Sequence, residues 1–338
     1  MNTIWLLALV VGMSFLATGA LRRYALAQSL IDIPNARSSH SVPTPRGGGV
    51  AIVLSFLVAL PILAWTGDIA WPLAVALLGG GGWIAVVGFL DDHGHIAARW
   101  RLLAHFCGAI WSLYWISGVA PLNVFGQTVD LGWVGYVLGA FYLVWMLNLY
   151  NFMDGIDGLA SVEAICVCLG ACITYWIGND IGLAVAPGLL VMAVLGFLFW
   201  NFPPARIFMG DAGSGFLGLT LGVLSLHAAW SNAEYLWVWL ILLGVFIVDA
   251  TFTLMRRLLR GDKVYEAHRS HGYQYASRQF GNHRPVTLAI AGINLFWLLP
   301  VAVLVVLQHL DGAVGLVLAY LPLVFLAFKF HAGELEKA

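Results

Sequence analysis

Long apolar runs alternate with short polar connections from one end of this chain to the other. Windows of about 20 apolar residues, the length that crosses a bilayer as a helix, fall at roughly 3–21, 50–66, 71–90, 101–118, 132–150, 159–177, 182–200, 214–231, 235–255, 286–307 and 313–330. The pattern predicts an all-α, polytopic membrane bundle of about eleven transmembrane helices, because only helices satisfy their own backbone inside lipid. Little chain is left over, so residues 1–338 read as a single membrane-embedded domain. Polar residues collect in five connections, at 22–49, 91–100, 151–158, 201–213 and 256–285. The first run is too long for a signal-peptide core and leads into Leu21, Arg22, Arg23 and Tyr24, not a small-residue cleavage site. It is expected to stay as a helix.

Charge sharpens this picture. The chain is 61% hydrophobic and 10% charged, against roughly 25% charged in a soluble domain. All 16 Lys and Arg fall on one side of the eleven-span pattern. The opposite connections carry one acid each, Asp68, Asp130, Asp180, Glu234 and Asp311, and no cation. Cations in short loops stay cytoplasmic, which predicts the N-terminus outside and the C-terminus inside. The net charge of −1 thus conceals a basic face suited to anionic lipid headgroups or an anionic substrate. No nucleic-acid partner is expected. Cys107, Cys166, Cys168 and Cys172 lie inside apolar runs and read as small buried hydrophobes. The run Gly79 to Gly82 reads as close helix packing.

The chemistry is in the connections. Asn148, Asn151, Asp154 and Asp157 recur at three-residue spacing, so one further helical or 3₁₀ turn brings them near one face. Such oxygens suit a hard cation like Mg²⁺, although Asn and Asp also serve plain turn chemistry. Asp91 and Asp92 adjoin at a helix C-terminus, where acids oppose the dipole, which favours a functional role in proton abstraction or metal binding. In the first loop, Asp32, Arg37 and His40 precede Pro45, Arg46 and the triplet Gly47 to Gly49, whose amides offer themselves to an anion. A solvated connector is the competing reading there. Asp211 stands among glycines three residues after Phe208, an aromatic suited to stacking on a planar ligand or to anchoring the interface. Asp249 lies within an apolar run, as a functional acid or a polar contact between helices. The 256–285 loop, with His268, Arg269 and His271, is the strongest anion-binding candidate.

Taken together, Asp32, Arg37, His40, Pro45 to Gly49, Asp91, Asp92, Asn148 to Leu159, Phe208 to Ser214 and His268 to His271 resemble the polyprenyl-phosphate N-acetylhexosamine-1-phosphate transferases, glycosyltransferase family 4. The likeness spans nearly the whole chain, in order. It implies transfer of a sugar-1-phosphate from a UDP-N-acetyl sugar to undecaprenyl phosphate with release of UMP, in a bacterial inner membrane, with Mg²⁺ or alternatively Mn²⁺. By motif position it assigns Asn151 and Asp211 to the metal, Asp157 to uracil, and Phe208 to stacking on the base. His268, Arg269 and His271 fall to the pyrophosphate, and Asp91 and Asp92 to the reaction with the lipid phosphate. Asp154, Asp32, Arg37, His40 and His95 are the remaining substrate-contact candidates. His95 stands where many members carry Lys. The last loop lacks the three-His signature of the MraY peptidoglycan branch, so the WecA- and WbpL-like branch, which initiates O-antigen or related surface glycans, is preferred. A homodimer is allowed for. A transporter or lipid flippase is the reading from another class, as is a non-catalytic headgroup-binding scaffold.

Overall fold

The computed structural model describes residues 3–34, 39–94, 96–262 and 268–335. Helices α1 (Thr3–Ala27) and α2 (Val50–Thr66) flank the first loop, where β1 (Ile31–Asp32) pairs antiparallel with β2 (Thr44–Pro45). Next come α3 (Trp71–Ala76), a π turn at Leu77–Gly81, α4 (Gly82–His93) and α5 (Ala98–Trp115). A hairpin of β3 (Leu122–Val124) and β4 (Gln127–Val129) leads into α6 (Gly132–Met153) and α7 (Leu159–Ile177). A 3₁₀ turn (Ile181–Ala184) opens α8 (Val185–Asn201), followed by α9 (Asp211–Ala228), α10 (Glu234–Leu242) and α11 (Gly244–Arg260). The chain ends with α12 (Gly272–Phe280), α13 (His283–Ile293), a π turn (Asn294–Leu298), α14 (Leu299–Val306) and α15 (Gly312–Lys329). The fold is helical apart from those four short strands.

Each expected apolar run lies on a helix or on a broken helix. Among the described residues, seven helices are long and apolar enough to cross a membrane, or eight if α10 and α11, bent by 70°, form one span. Three of the eleven expected spans fall short of that standard. Helix α2 has 17 residues, α5 carries Arg99 and Arg101 in its first turn, and α9 is rich in glycine. The protein is therefore a multi-pass helical membrane protein. Exposed Trp5, Trp65, Trp71, Trp133 and Trp176 sit at the helix ends far from the polar loops, as an interfacial aromatic belt does.

Helix α9 is the centre. Every residue from Ala212 to Leu226 is buried, against α6, α4, α2 and α10. Its glycines allow this, since a Cβ on Gly218 would come within 2.6 Å of the Met146 carbonyl oxygen. Small residues let helix backbones approach where lipid supplies no hydrophobic drive. The Gly79 to Gly82 run works likewise, because a Cβ on Gly80 would meet the Ser112 hydroxyl at 2.0 Å. Cys168 is buried, whereas Cys107 is exposed on α5, contrary to the expectation of burial.

Candidate active site

The polar loops at one end of the bundle are stitched together by backbone. Phe208 N–H donates to the Pro45 carbonyl at 2.8 Å, Gly48 N–H to Phe208 at 2.9 Å and Gly49 N–H to Met209 at 2.8 Å. These glycine amides are thus committed to the chain and not offered to an anion. What glycine supplies at 49 is contact, for a Cβ there would lie 2.5 Å from the Gly213 Cα.

This stitching closes a cavity of about 380 Å³ whose wall gathers Asp32 and His40 from the first loop and Asp92 from the end of α4. Asn151, Asp154 and Asp157 enter from the end of α6, and Phe208 and Asp211 from the turn before α9. Asp92 is buried and accepts the N–H groups of Asp211 (3.3 Å) and Ala212 (3.4 Å) at the start of α9. There it meets the positive end of the helix dipole, which offsets its own awkward place at the end of α4. Gly210 has φ 78°, and a Cβ on it would approach Asp92 Oδ2 to 2.7 Å. Glycine is therefore required at that turn.

Asn151 donates its amide to Asp211 Oδ1 at 3.0 Å and to Ser214 Oγ at 2.8 Å, which leaves its carbonyl oxygen without a donor among the described residues. Asp157 accepts Ala205 N–H at 2.9 Å and lies 3.1 Å from His283 Nδ1. Phe208 packs its ring against His40, with centroids 4.8 Å apart. Asp154 accepts no hydrogen bond from the described residues. Burial, then the charges of Asp211, Asp92 and Asp157, push its carboxyl well above the usual carboxylate range.

Other candidates stand back from this cavity. Asp91 turns to Arg101 (2.5 Å) and the Ile96 N–H (2.8 Å) while touching Asp211. His271 lies beside Phe152, with rings 6.5 Å apart, and His268 stacks on His271 at 4.8 Å. Burial, then His271 and Arg257, hold the His268 imidazole down to about 3. Ser270 N–H donates to its Nδ1 at 3.4 Å, which leaves Nε2 to carry the ring proton in the neutral form. Arg269 lines a separate cavity with Arg278 and His331. Arg37 and His95 lie outside the described residues. Asp249 proves to be a clamp, accepting Gly272 N–H (3.0 Å), Tyr273 N–H (2.9 Å) and the His271 ring (3.1 Å), which pins α12 to α11.

Several wall residues had no role assigned from sequence: Ser39, Arg46, Asn201, Gln274 and His283. Arg46 donates to the Asp92 backbone carbonyl. Asn201 holds the Gly158 N–H at 3.0 Å and the Ile207 carbonyl at 3.1 Å. The signal for Arg46 was its place before three glycines; a lone polar residue inside a polar loop gives none.

No three His, Cys, Asp or Glu side chains among the described residues form a ready metal cage. A small hard cation needs none, because it binds through one or two protein oxygens and completes its shell with water and phosphate. The undonated Asn151 carbonyl and the unpartnered Asp154 carboxylate, facing an acid-rich cavity, fit such an ion.

The comparisons with known proteins agree with this geometry. The model of glycosyl transferase family 4 matches residues 74–229. The chain is 30% identical, over 85% of its length and 80% of the relative's, to a probable undecaprenyl-phosphate N-acetylglucosaminyl 1-phosphate transferase of Bacillus subtilis (strain 168). It is 32% identical, over 76% of its length and 72% of the relative's, to a decaprenyl-phosphate N-acetylglucosaminephosphotransferase of Mycolicibacterium smegmatis. A phospho-N-acetylmuramoyl-pentapeptide-transferase of Kocuria rhizophila is 30% identical over 73% of the chain and 78% of the relative. With loops, cavity and relatives in agreement, the chain belongs to glycosyl transferase family 4.

Proposed function

We propose that this protein transfers an N-acetylhexosamine-1-phosphate from a UDP-N-acetyl sugar to undecaprenyl phosphate, releasing UMP and starting an O-antigen or related surface glycan. The observation that carries this reading is the cavity itself: acids and amides from separate loops converge at the ends of apolar helices, where a soluble nucleotide and a lipid phosphate can meet. A transporter would instead place polar groups near mid-membrane on several helices. The one-sided cations support a cytoplasmic face on the inner membrane for this site, built by the five polar loops of a single domain.

The acceptor phosphate oxygen attacks the sugar-linked phosphorus, the bond to the bridging oxygen breaks, and UMP leaves with that oxygen and its charge. Two anions must approach, so the work is positioning and charge neutralisation. Asp92, at the start of α9 beside Arg46, takes the acceptor proton on a carboxylate oxygen. Asp157 receives the uracil and Phe208 stacks on it, with Asp32 and His40 closing the wall. Asn151 and Asp211 would hold Mg²⁺, with Asp154 on the same cavity wall. When bound, the ion neutralises phosphate charge. The resemblance gives the diphosphate to His268, Arg269 and His271, which stand back from this cavity, Arg269 lining a separate one, so they would reach it only from outside the wall described here.

The test is UMP release by the purified protein from UDP-N-acetylglucosamine with undecaprenyl phosphate and Mg²⁺. The N-acetylglucosamine donor is expected first, given the Bacillus and Mycolicibacterium relatives. Turnover only with UDP-N-acetylmuramoyl-pentapeptide would favour the peptidoglycan reading, and lipid flux without UMP would overturn the enzyme reading.

A further inference from the structure

Asp157 sits between Gly155 and Gly158, in a loop whose backbone restrains it little, yet it is held on several sides. Ala205 N–H donates to its Oδ2 at 2.9 Å, and the Thr287 hydroxyl donates to its backbone carbonyl at 3.0 Å. The remaining carboxylate oxygen faces His283, the first residue of α13, with Nδ1 at 3.1 Å from Oδ1. The other ring nitrogen, Nε2, lies 3.0 Å from the Ser39 carbonyl in the first loop. The Ser39 carbonyl only accepts, so Nε2 makes its bond by carrying a proton; Nδ1 accepts the Asp157 N–H at 3.3 Å in the neutral ring and pairs with the carboxylate at 3.1 Å once it is protonated. His283 itself lines the main cavity.

We propose that His283 is a positioning residue for the donor-nucleotide subsite: it fixes the Asp157 carboxylate and, through Ser39, ties the first loop across the cavity. This rests on the reading that Asp157 receives the donor base. The arrangement has a clear consequence for binding. An ionised carboxylate offers about four lone-pair positions. Ala205 and His283 engage one on each oxygen, fixing the plane of the group while the others remain to accept from a ligand. Once protonated, the ring also offsets one negative charge in a cavity that holds Asp32, Asp92, Asp154, Asp157 and Asp211.

The experiment measures donor KM, acceptor KM, kcat and UMP inhibition for full-length protein in detergent. His283→Ala is expected to raise donor KM and the UMP inhibition constant together, by about 10- to 100-fold, the range for loss of a supporting partner. Acceptor KM stays unchanged and kcat holds within about threefold, as for a loss of uniform binding. His283→Gln, which keeps one N–H donor, recovers part of the loss. Asn282→Ala is the structural control, because Asn282 caps α13 by accepting Arg284 N–H at 2.9 Å without touching Asp157; it should leave donor KM alone. Equal donor KM changes in Asn282→Ala and His283→Ala, or none in His283→Ala, would overturn the proposal. Asp157→Asn separates the two layers. If it leaves donor KM unchanged, the reading of Asp157 fails; if it raises donor KM while His283→Ala does not, only the role of His283 fails.

Discussion

The Asn151 amide donates to Asp211 Oδ1 at 3.0 Å across 60 positions of chain, joining the last turn of α6 to the first residue of α9. The bond fixes which way the amide points, so the Asn151 carbonyl faces the cavity beside the Asp211 carboxylate. Asp211→Asn keeps the size of the side chain and removes its charge. Turnover is expected to fall by about 100-fold or more, the scale of losing a preorganised charge-stabilising group, with little change in melting temperature. UMP release by that variant at the wild-type rate would refute the role of Asp211 as a metal ligand.

Asp154 predicts a pH effect whose sign follows from its surroundings. Its carboxyl is pushed up by burial and by the neighbouring acids, so the folded protein holds that proton more tightly than the unfolded chain does. The resulting cost to stability is absent below the unfolded value of about 3.9 and grows as pH rises toward the folded value. In chelator, wild type should lose melting temperature more steeply than Asp154→Asn as pH rises above the unfolded value of about 3.9. Added Mg²⁺ supplies opposite charge and should flatten the wild-type slope. Identical wild-type slopes with and without Mg²⁺ would remove the case for a cation beside Asp154.

Asp91 and Asp92 adjoin in sequence but answer to different partners, and the two should separate on substitution. Asp92 lines the cavity and takes the α9 amides. Asp91 is committed to Arg101 and Ile96. Asp92→Asn is expected to lower kcat by about 100-fold, the contribution of a general base. Asp91→Asn should cost mainly melting temperature, since it leaves the Arg101 guanidinium short of a partner. Steady-state kinetics and thermal unfolding of both variants check this, and the opposite ranking in kcat would reverse the assignment.

Much of this cavity was legible in the sequence, because in a chain with 10% charged residues a carboxylate or amide in a connection stands out. Asp32, Asp92, Asn151, Asp154, Asp157, Phe208 and Asp211 meet on one wall for that reason. Arg46, Gln274 and His283 do not stand out, since one polar residue inside a polar loop carries no local pattern, and only folding brings α13 to Asp157. Asp249 shows the reverse case. An acid in an apolar run left two readings open, a functional acid or a polar contact between helices, and it holds two amides and a ring at the start of α12, as the second reading has it. The span pattern located the helices, of which, among the described residues, seven or eight are long and apolar enough to cross a membrane. Helix α9 is buried by protein, not by lipid, so close approach selects glycine there where hydropathy looks for leucine.

Glu163, a further acid inside an apolar run, supplies the last prediction. It is wholly buried on α7 and accepts the Asn294 amide at 2.7 Å, in the π turn between α13 and α14. Glu163 Oε1 and Asn294 Oδ1 are both buried with no hydrogen-bond partner among the described residues. An isolated charge is costly at such a depth, and an unpaired buried acceptor costs about 1–3 kcal/mol. Glutamine at 163 offers its NH₂ to Asn294 Oδ1 while its oxygen keeps the existing bond, with no charge to bury. Glu163→Gln is therefore expected to be neutral or stabilising, whereas Asn294→Ala should cost about 1–3 kcal/mol by stranding the Glu163 carboxyl. Pairing Asn294→Ala with Glu163→Ala removes both groups and should recover part of that loss, read as a coupling in a double-mutant cycle. Should Glu163→Gln prove as damaging as Asn294→Ala in thermal unfolding, the carboxyl is held as an anion and this account of the pair is wrong.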